Sequence, residues 1–162
     1  MTATMESCNP SKRLVFDEIR QSWVAATAEE IVRQTLLHRM VHHLGYPKEL
    51  IVVEKELQQL PHLAKVSNAF PDRRVDVVCF AKDSHVLYPL LLIECKDTRL
   101  DQRSLSQLLE YNYYVKACFI AEVSSKEIRF GYGKKDKKSS VLASFLPSYL
   151  QLLTLVSHER KS

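Results

Sequence analysis

Asp76, Glu94 and Lys96 are the residues of this chain whose types and spacing suit chemistry, and each interrupts an apolar run, "RRVDVVCFA" for the first and "LLLIECK" for the other two. Charged side chains are almost never fully buried unless paired, so a strand that carries them either leaves the core or holds them for a purpose. Side chains alternate along a strand, which puts Glu94 and Lys96 on one side, about 6 to 7 Å apart, with Cys95 on the other. If the two runs pair as a hairpin, Asp76 and Glu94 come within reach of a common point, although the pattern alone leaves the register open. Two carboxylates at 4 Å repel by as much as ~4 kcal/mol at an effective dielectric near 20, so something positive belongs between them. Mg²⁺ suits hard oxygen ligands and commonly bridges carboxylates to a phosphate. It neutralises charge on a phosphoryl group and makes a bound water more acidic. Neighbouring carboxylates favour the protonated ammonium of Lys96, which therefore takes an electrostatic role in preference to that of a general base. The competing reading of an E-x-K triplet is a solvated ion pair on an exposed strand.

The elements that must position these groups follow from pattern. "TAEEIVRQTLLHRMVHHLGYP" predicts a helix from Thr27 to about Leu44, with Val32, Leu36 and Met40 at helical spacing, Thr27 as cap and Gly45 and Pro47 at the end. "ELIVVEKEL", "RRVDVVCFA" and "VLYPLLLIECK" read as strands, the last two joined by the turn "KDSH", with Pro89 near a strand start. "SLSQLLEYNYYVK" predicts a second helix, "ACFIAEV" and "EIRFGYG" two more strands, and "VLASFLPSYLQLLTLV" a last helix broken or started by Pro147. The order is helix, three strands, helix, strand, strand, helix: an α/β fold with helices covering a mixed sheet. Residues 1–12 read as a disordered N-terminus and residues 13–162 as a single domain, with no repeat or linker.

Composition sets bounds. At 162 residues, 46% hydrophobic and 26% charged, the chain has the balance of a globular domain and no apolar run of the ~18 residues that a bilayer requires. The N-terminus lacks an apolar h-region, so no secretory signal is expected and the protein reads as cytoplasmic, without a membrane partner. Cys8, Cys79, Cys95 and Cys118 show no CxxC spacing and are expected to be reduced. A net charge of +4 permits a polyanionic partner without requiring one.

Together, "DEIR…TAEEIVRQ", "RRVDVVCF", "LLLIECK" and "QLLEYN" resemble the N-terminal nuclease domain of type I restriction enzyme R subunits, in the PD-(D/E)xK superfamily. The resemblance spans roughly residues 13 to 120. It implies a restriction-endonuclease-like central sheet flanked by helices and a Mg²⁺- or Mn²⁺-dependent endonuclease acting on DNA. Asp76, Glu94 and Lys96 match the signature, with Val75 where the superfamily name has proline. Glu30 matches an acidic residue of the first helix and joins them as a catalytic residue. The implied metal set is Asp76, Glu94 and Cys95, with one ion or two left open. Gln107 and Tyr111 match a QxxxY element, and with Arg73 and Arg74 form the expected DNA-contacting set. A homo-oligomer or a larger complex is compatible with this.

No GxxxxGK[ST] loop occurs, since "GYGKKDKKS" has the wrong spacing, so neither an ATP-driven motor nor a nucleotide cofactor is expected. Local structure competes for several of these residues. Thr27 with Glu30, and Ser104 with Gln107, have capping-box spacing. His38 and His42, one helical turn apart, read as a surface histidine cluster, because the glutamate of HExxH is missing. Lys134, Lys135, Lys137 and Lys138 read as a solubilising loop, and Tyr113, Tyr114 and Phe119 as core. Two further classes compete with a nuclease: a catalytically inactive nucleic-acid-binding or assembly module of the same fold, and a scaffold whose charges serve solvation alone.

Overall fold

A computed structural model describes residues 13–134 and 141–161. The expected helices and five strands form, together with a short two-stranded hairpin ahead of them to which the sequence reading assigned no element. In chain order they are β1 (Leu14–Asp17), β2 (Ser22–Ala25), α1 (Ala28–His42), β3 (Ile51–Glu56), β4 (Arg74–Asp83), β5 (Val86–Cys95), α2 (Gln102–Val115), β6 (Phe119–Val123), β7 (Ile128–Tyr132) and α3 (Tyr149–Lys161). Among the described residues β1 pairs with β2 alone, and β3-β4-β5-β6-β7 form one mixed sheet in sequence order. Among the described strands only β5 and β6 run parallel, which requires the crossover that α2 supplies. The expected disordered segment 1–12 and the lysines Lys135, Lys137 and Lys138 lie outside the described residues.

The greasy run before Glu94 is explained by burial on both faces. Leu91 and Ile93 pack with Leu37, Met40, Val77, Phe119 and Leu152 under α1 and α3. Leu92, between them, packs with Val78, Leu108, Val115 and Ile120 under α2. A strand covered on both sides reads as continuous hydrophobicity rather than alternation.

Turn and cap chemistry holds these layers. Asp83 faces Val86 across a two-residue turn in which Ser84 and His85 both have positive φ, 51° and 88°, the handedness that matches strand twist. Pro89 stands inside β5 rather than near its start. It is tolerated because the β4–β5 register shifts between Cys79 and Phe80, where a ladder donor is not required. Thr27 caps α1, its Oγ1 accepting from Glu30 N at 3.1 Å. The expected Ser104–Gln107 box is corrected to Asp101 and Ser104: Asp101 Oδ1 accepts from Ser104 N at 2.8 Å, and Ser104 Oγ accepts from Asp101 N at 3.3 Å. That leaves Gln107 one turn into the helix with its side chain free of capping duty. Pro147 precedes α3, where Ser148 and Gln151 exchange side-chain bonds to each other's backbone N–H at 2.8 and 3.2 Å. No helix among the described residues is long and apolar enough to cross a membrane.

Candidate functional site

Strand register builds a line of acids across the sheet. Val53 faces Val77 and Lys55 faces Val75, so Glu54 on β3 is level with Asp76 on β4. Val77 faces Ile93, which makes Asp76 level with Glu94 on β5. Glu94 pairs with Glu122 on β6, and Glu122 with Arg129 on β7. Neighbouring strands lie about 4.8 Å apart, so this row concentrates negative charge near one end of the central strands. Glu54 adopts a left-handed φ of 53°, which distorts β3 opposite Asp76.

Asp76 is a desolvated carboxylate within this row. Burial raises its pKa to about 6, against the opposing pull of the Cys95 backbone N–H and Arg33, and the nearby charges of Glu94 and Glu29 raise it further. Its Oδ2 accepts from Cys95 N at 2.7 Å. Its Oδ1 lies 3.1 Å from Arg33 Nη2, which is also 2.7 Å from Glu54 Oε1 and 3.1 Å from Glu29 Oε1. One oxygen each of Glu29, Glu54 and Asp76 lie within 4.8 Å of one another, a spacing a cation can bridge. Sequence reasoning passed over Glu29, Glu54 and Arg33, because an acid in a helical first turn and a charge near a strand end have ordinary local explanations.

Glu30 stands one layer back. Its Thr27 cap is one-sided: the Glu30 carboxylate is engaged by Arg20, Arg33 and Gln34, the last at 2.9 Å, instead of reaching back to the Thr27 backbone. It therefore reaches Asp76 through Arg33. Arg20 comes from the β1–β2 turn and also pairs with buried Asp17, so the unexpected hairpin buttresses the base of this network.

On the α2 side, strand alternation works as expected. Lys96 Nζ is 3.1 Å from Glu94 Oε1, while Cys95 turns into the core and is 1% exposed. Burial pushes the Cys95 thiol up, so the sulfur is a neutral core group and only the main chain of Cys95 faces the acids. Arg73 Nη2 lies 2.6 and 2.5 Å from the two oxygens of Glu94, and its guanidinium covers the Tyr111 ring at 4.4 Å. Tyr111 donates its hydroxyl to Arg73 O at 3.3 Å, and burial raises its pKa to about 12, which keeps it a donor. Arg73, Gln107 and Tyr111 line a cleft of about 990 Å³ with Tyr113, Lys116 and Lys134. Arg74 instead is exposed opposite Glu56 on β3. Tyr113, expected in the core, is 75% exposed, because it falls on the outer side of α2 whereas Leu108, Tyr111 and Val115 fall on the inner side; Phe119 is buried as expected.

Glu122 was missed, although "FIAEV" carries the same signal as the two strands that were read: an acid inside an apolar run. It is fully buried, and among the described residues neither carboxylate oxygen has a partner at hydrogen-bond distance. Arg129 Nη1 is 4.0 Å from Oε2. Burial raises the Glu122 pKa, with the charge of Arg129 offsetting part of the rise.

Compared with known proteins, the chain matches no curated protein and no solved structure. Residues 28–147, most of the chain, match the family model described as the type I restriction enzyme R protein N terminus. That span starts at the first residue of α1, runs through Glu30, Asp76, Glu94 and Lys96, and stops just before α3. With its five-stranded mixed sheet and flanking helices, the chain belongs to the type I restriction enzyme R protein N-terminal family.

Proposed function

We propose that this chain is a divalent-metal-dependent nuclease domain of the PD-(D/E)xK kind, which hydrolyses phosphodiester bonds in DNA. The observation that carries the reading is Asp76, desolvated and gathered with Glu54 and Glu29, one strand from Glu94 with Lys96 attached. The donor set is hard oxygen throughout, which fits Mg²⁺ or Mn²⁺ and disfavours softer ions. Asp76 would hold the ion with Glu54 or Glu29, Glu94 would join them on release from Arg73, and Cys95 would take part through its main chain. A bound ion supplies Lewis acidity toward a phosphoryl oxygen and toward the attacking water.

The remaining steps belong to side chains. Lys96, held by Glu94, presents a cation to the developing charge on the phosphate. Arg73 neutralises Glu94 and lines the cleft, where a phosphate can draw it away. Gln107 and the Tyr111 edge line the same cleft and orient the strand, with DNA as the partner. Glu30 acts as a positioning residue through Arg33.

The test is Mg²⁺- or Mn²⁺-dependent nicking of plasmid DNA by the wild-type chain and by Lys96→Ala. Cleavage is expected to vanish in the variant while Mn²⁺ binding survives in calorimetry; equal cleavage by both removes Lys96 from the reaction. One observation favours a second reading. Arg33 Nη2 already stands where a cation bridging Glu29, Glu54 and Asp76 would stand. A binding module of the same fold, with arginine as permanent counter-ion, would show salt-sensitive DNA affinity and no cleavage at any metal concentration.

A further inference from the structure

We infer that a second, chemically different metal site lies at the far end of α1: Glu18, His38 and His42 form a two-histidine, one-carboxylate site for Zn²⁺ or a similar borderline divalent ion. His38 and His42 are one helical turn apart on α1, and their ring centroids are 4.5 Å apart. The turn between β1 and β2 delivers Glu18, whose Oε2 is 3.2 Å from His42 Nε2. One ligand atom from each of the three lies within 4.8 Å of the others. No sequence pattern announces this third ligand, because it comes from a different element twenty residues or more upstream.

Imidazole nitrogen with a single carboxylate is a donor set that prefers Zn²⁺ to Mg²⁺, so this site does not compete with the all-oxygen cluster around Asp76 for the same ion. Ligand atoms at about 2.1 Å from a tetrahedral zinc lie about 3.4 Å apart. Glu18 Oε2 and His42 Nε2, 3.2 Å apart, already have that spacing, and rotation of the exposed His38 ring brings in the third ligand. Lys48 Nζ, 3.8 Å from Glu18 Oε2, is the cation to be displaced, and it is exposed enough to swing out. Three protein ligands leave a fourth position open to water.

The site would pin the hairpin turn to α1. Arg20, two residues after Glu18 and paired with Asp17, buttresses Glu30, so a bound ion stiffens the support beneath Arg33 without touching the acids of the sheet. His43, whose ring lies 5.9 Å from that of His38, is a neighbour and not part of the set.

The experiment is titration of the intact chain with Zn²⁺ in excess Mg²⁺, read by calorimetry and by thermal shift, with Co²⁺ substitution to give the visible bands of a low-coordinate nitrogen–oxygen site. One equivalent is expected, with a rise in Tm. Losing a group that only hydrogen-bonds to a metal ligand already costs about ten- to a hundredfold in affinity, so His38→Ala, His42→Ala and Glu18→Gln should each weaken binding at least that much. His43→Ala and Asp76→Asn should retain the equivalent. Absence of a Zn²⁺ equivalent in the wild type, or an equivalent that survives in the double His38→Ala, His42→Ala variant, overturns the assignment. Neither result bears on nuclease activity, which rests on other residues.

Discussion

Replacing Asp76 by Asn should stabilise this protein at neutral pH while removing the carboxylate on which the proposed activity depends. Burial is the largest influence on Asp76 and holds its pKa near 6, against an ordinary value of 3.8. A folded pKa above the unfolded one means that the protonated acid is favoured in the folded state. The stability that this contributes is complete below pH 3.8 and is lost as pH rises through 6. At 1.36 kcal/mol per unit, a gap of about two units corresponds to roughly 3 kcal/mol between pH 4 and pH 8. Asparagine keeps an oxygen for the Cys95 N–H and carries no charge, so it escapes this penalty. Urea unfolding of wild type and Asp76→Asn in EDTA, at pH steps from 4 to 8, measures the difference. The variant should gain on wild type by about 3 kcal/mol over that range, or roughly 6 to 12 °C in Tm for a chain of this size. A difference that stays flat with pH, or that favours wild type as pH rises, would show that pairing with Arg33 outweighs burial and would refute the reasoning.

Three other perturbations test separate parts of the network. Glu122→Gln removes a buried carboxylate that has no hydrogen-bond partner among the described residues and whose pKa burial raises, so the variant should be more stable than wild type at pH 8 and indistinguishable near pH 4; a loss of stability at pH 8 would mean that Arg129 pairs with it effectively. Arg33→Met leaves Glu29, Glu30, Glu54 and Asp76 without their shared cation, and denaturant unfolding at pH 8 should show about 3–5 kcal/mol lost, the usual cost of stranding buried charge. Gly133→Ala puts a Cβ 2.2 Å from Ala117 O and 2.5 Å from Asn112 Nδ2, where buried Asn112 ties the end of α2 to β7. That overpacking should cost about 1–3 kcal/mol, measured as a fall in Tm.

What the sequence determined by itself was the local order and part of the site. Helical and strand periods are written in contiguous residues, so α1, α2, the five sheet strands and the start of α3 after Pro147 were legible to within a few positions. Asp76, Glu94 and Lys96 were legible because a charge inside an apolar run stands out without any knowledge of its neighbours. The β1–β2 hairpin was not legible, since its four-residue strands carry exposed Phe16 and Trp23 and too few alternations to read. Glu29, Glu54, Arg20 and Arg33 each have an ordinary local explanation as helix-end, strand-end or surface charges. Their meaning arises only when β3 is set against β4 and α1 is laid over both, bringing Arg33 Nη2 within 3.1 Å of three carboxylates. The same holds for Glu18 with His38 and His42. Register and docking angle decide which charges share a space, and both are fixed by packing between segments distant in the chain, a relation that no local window contains.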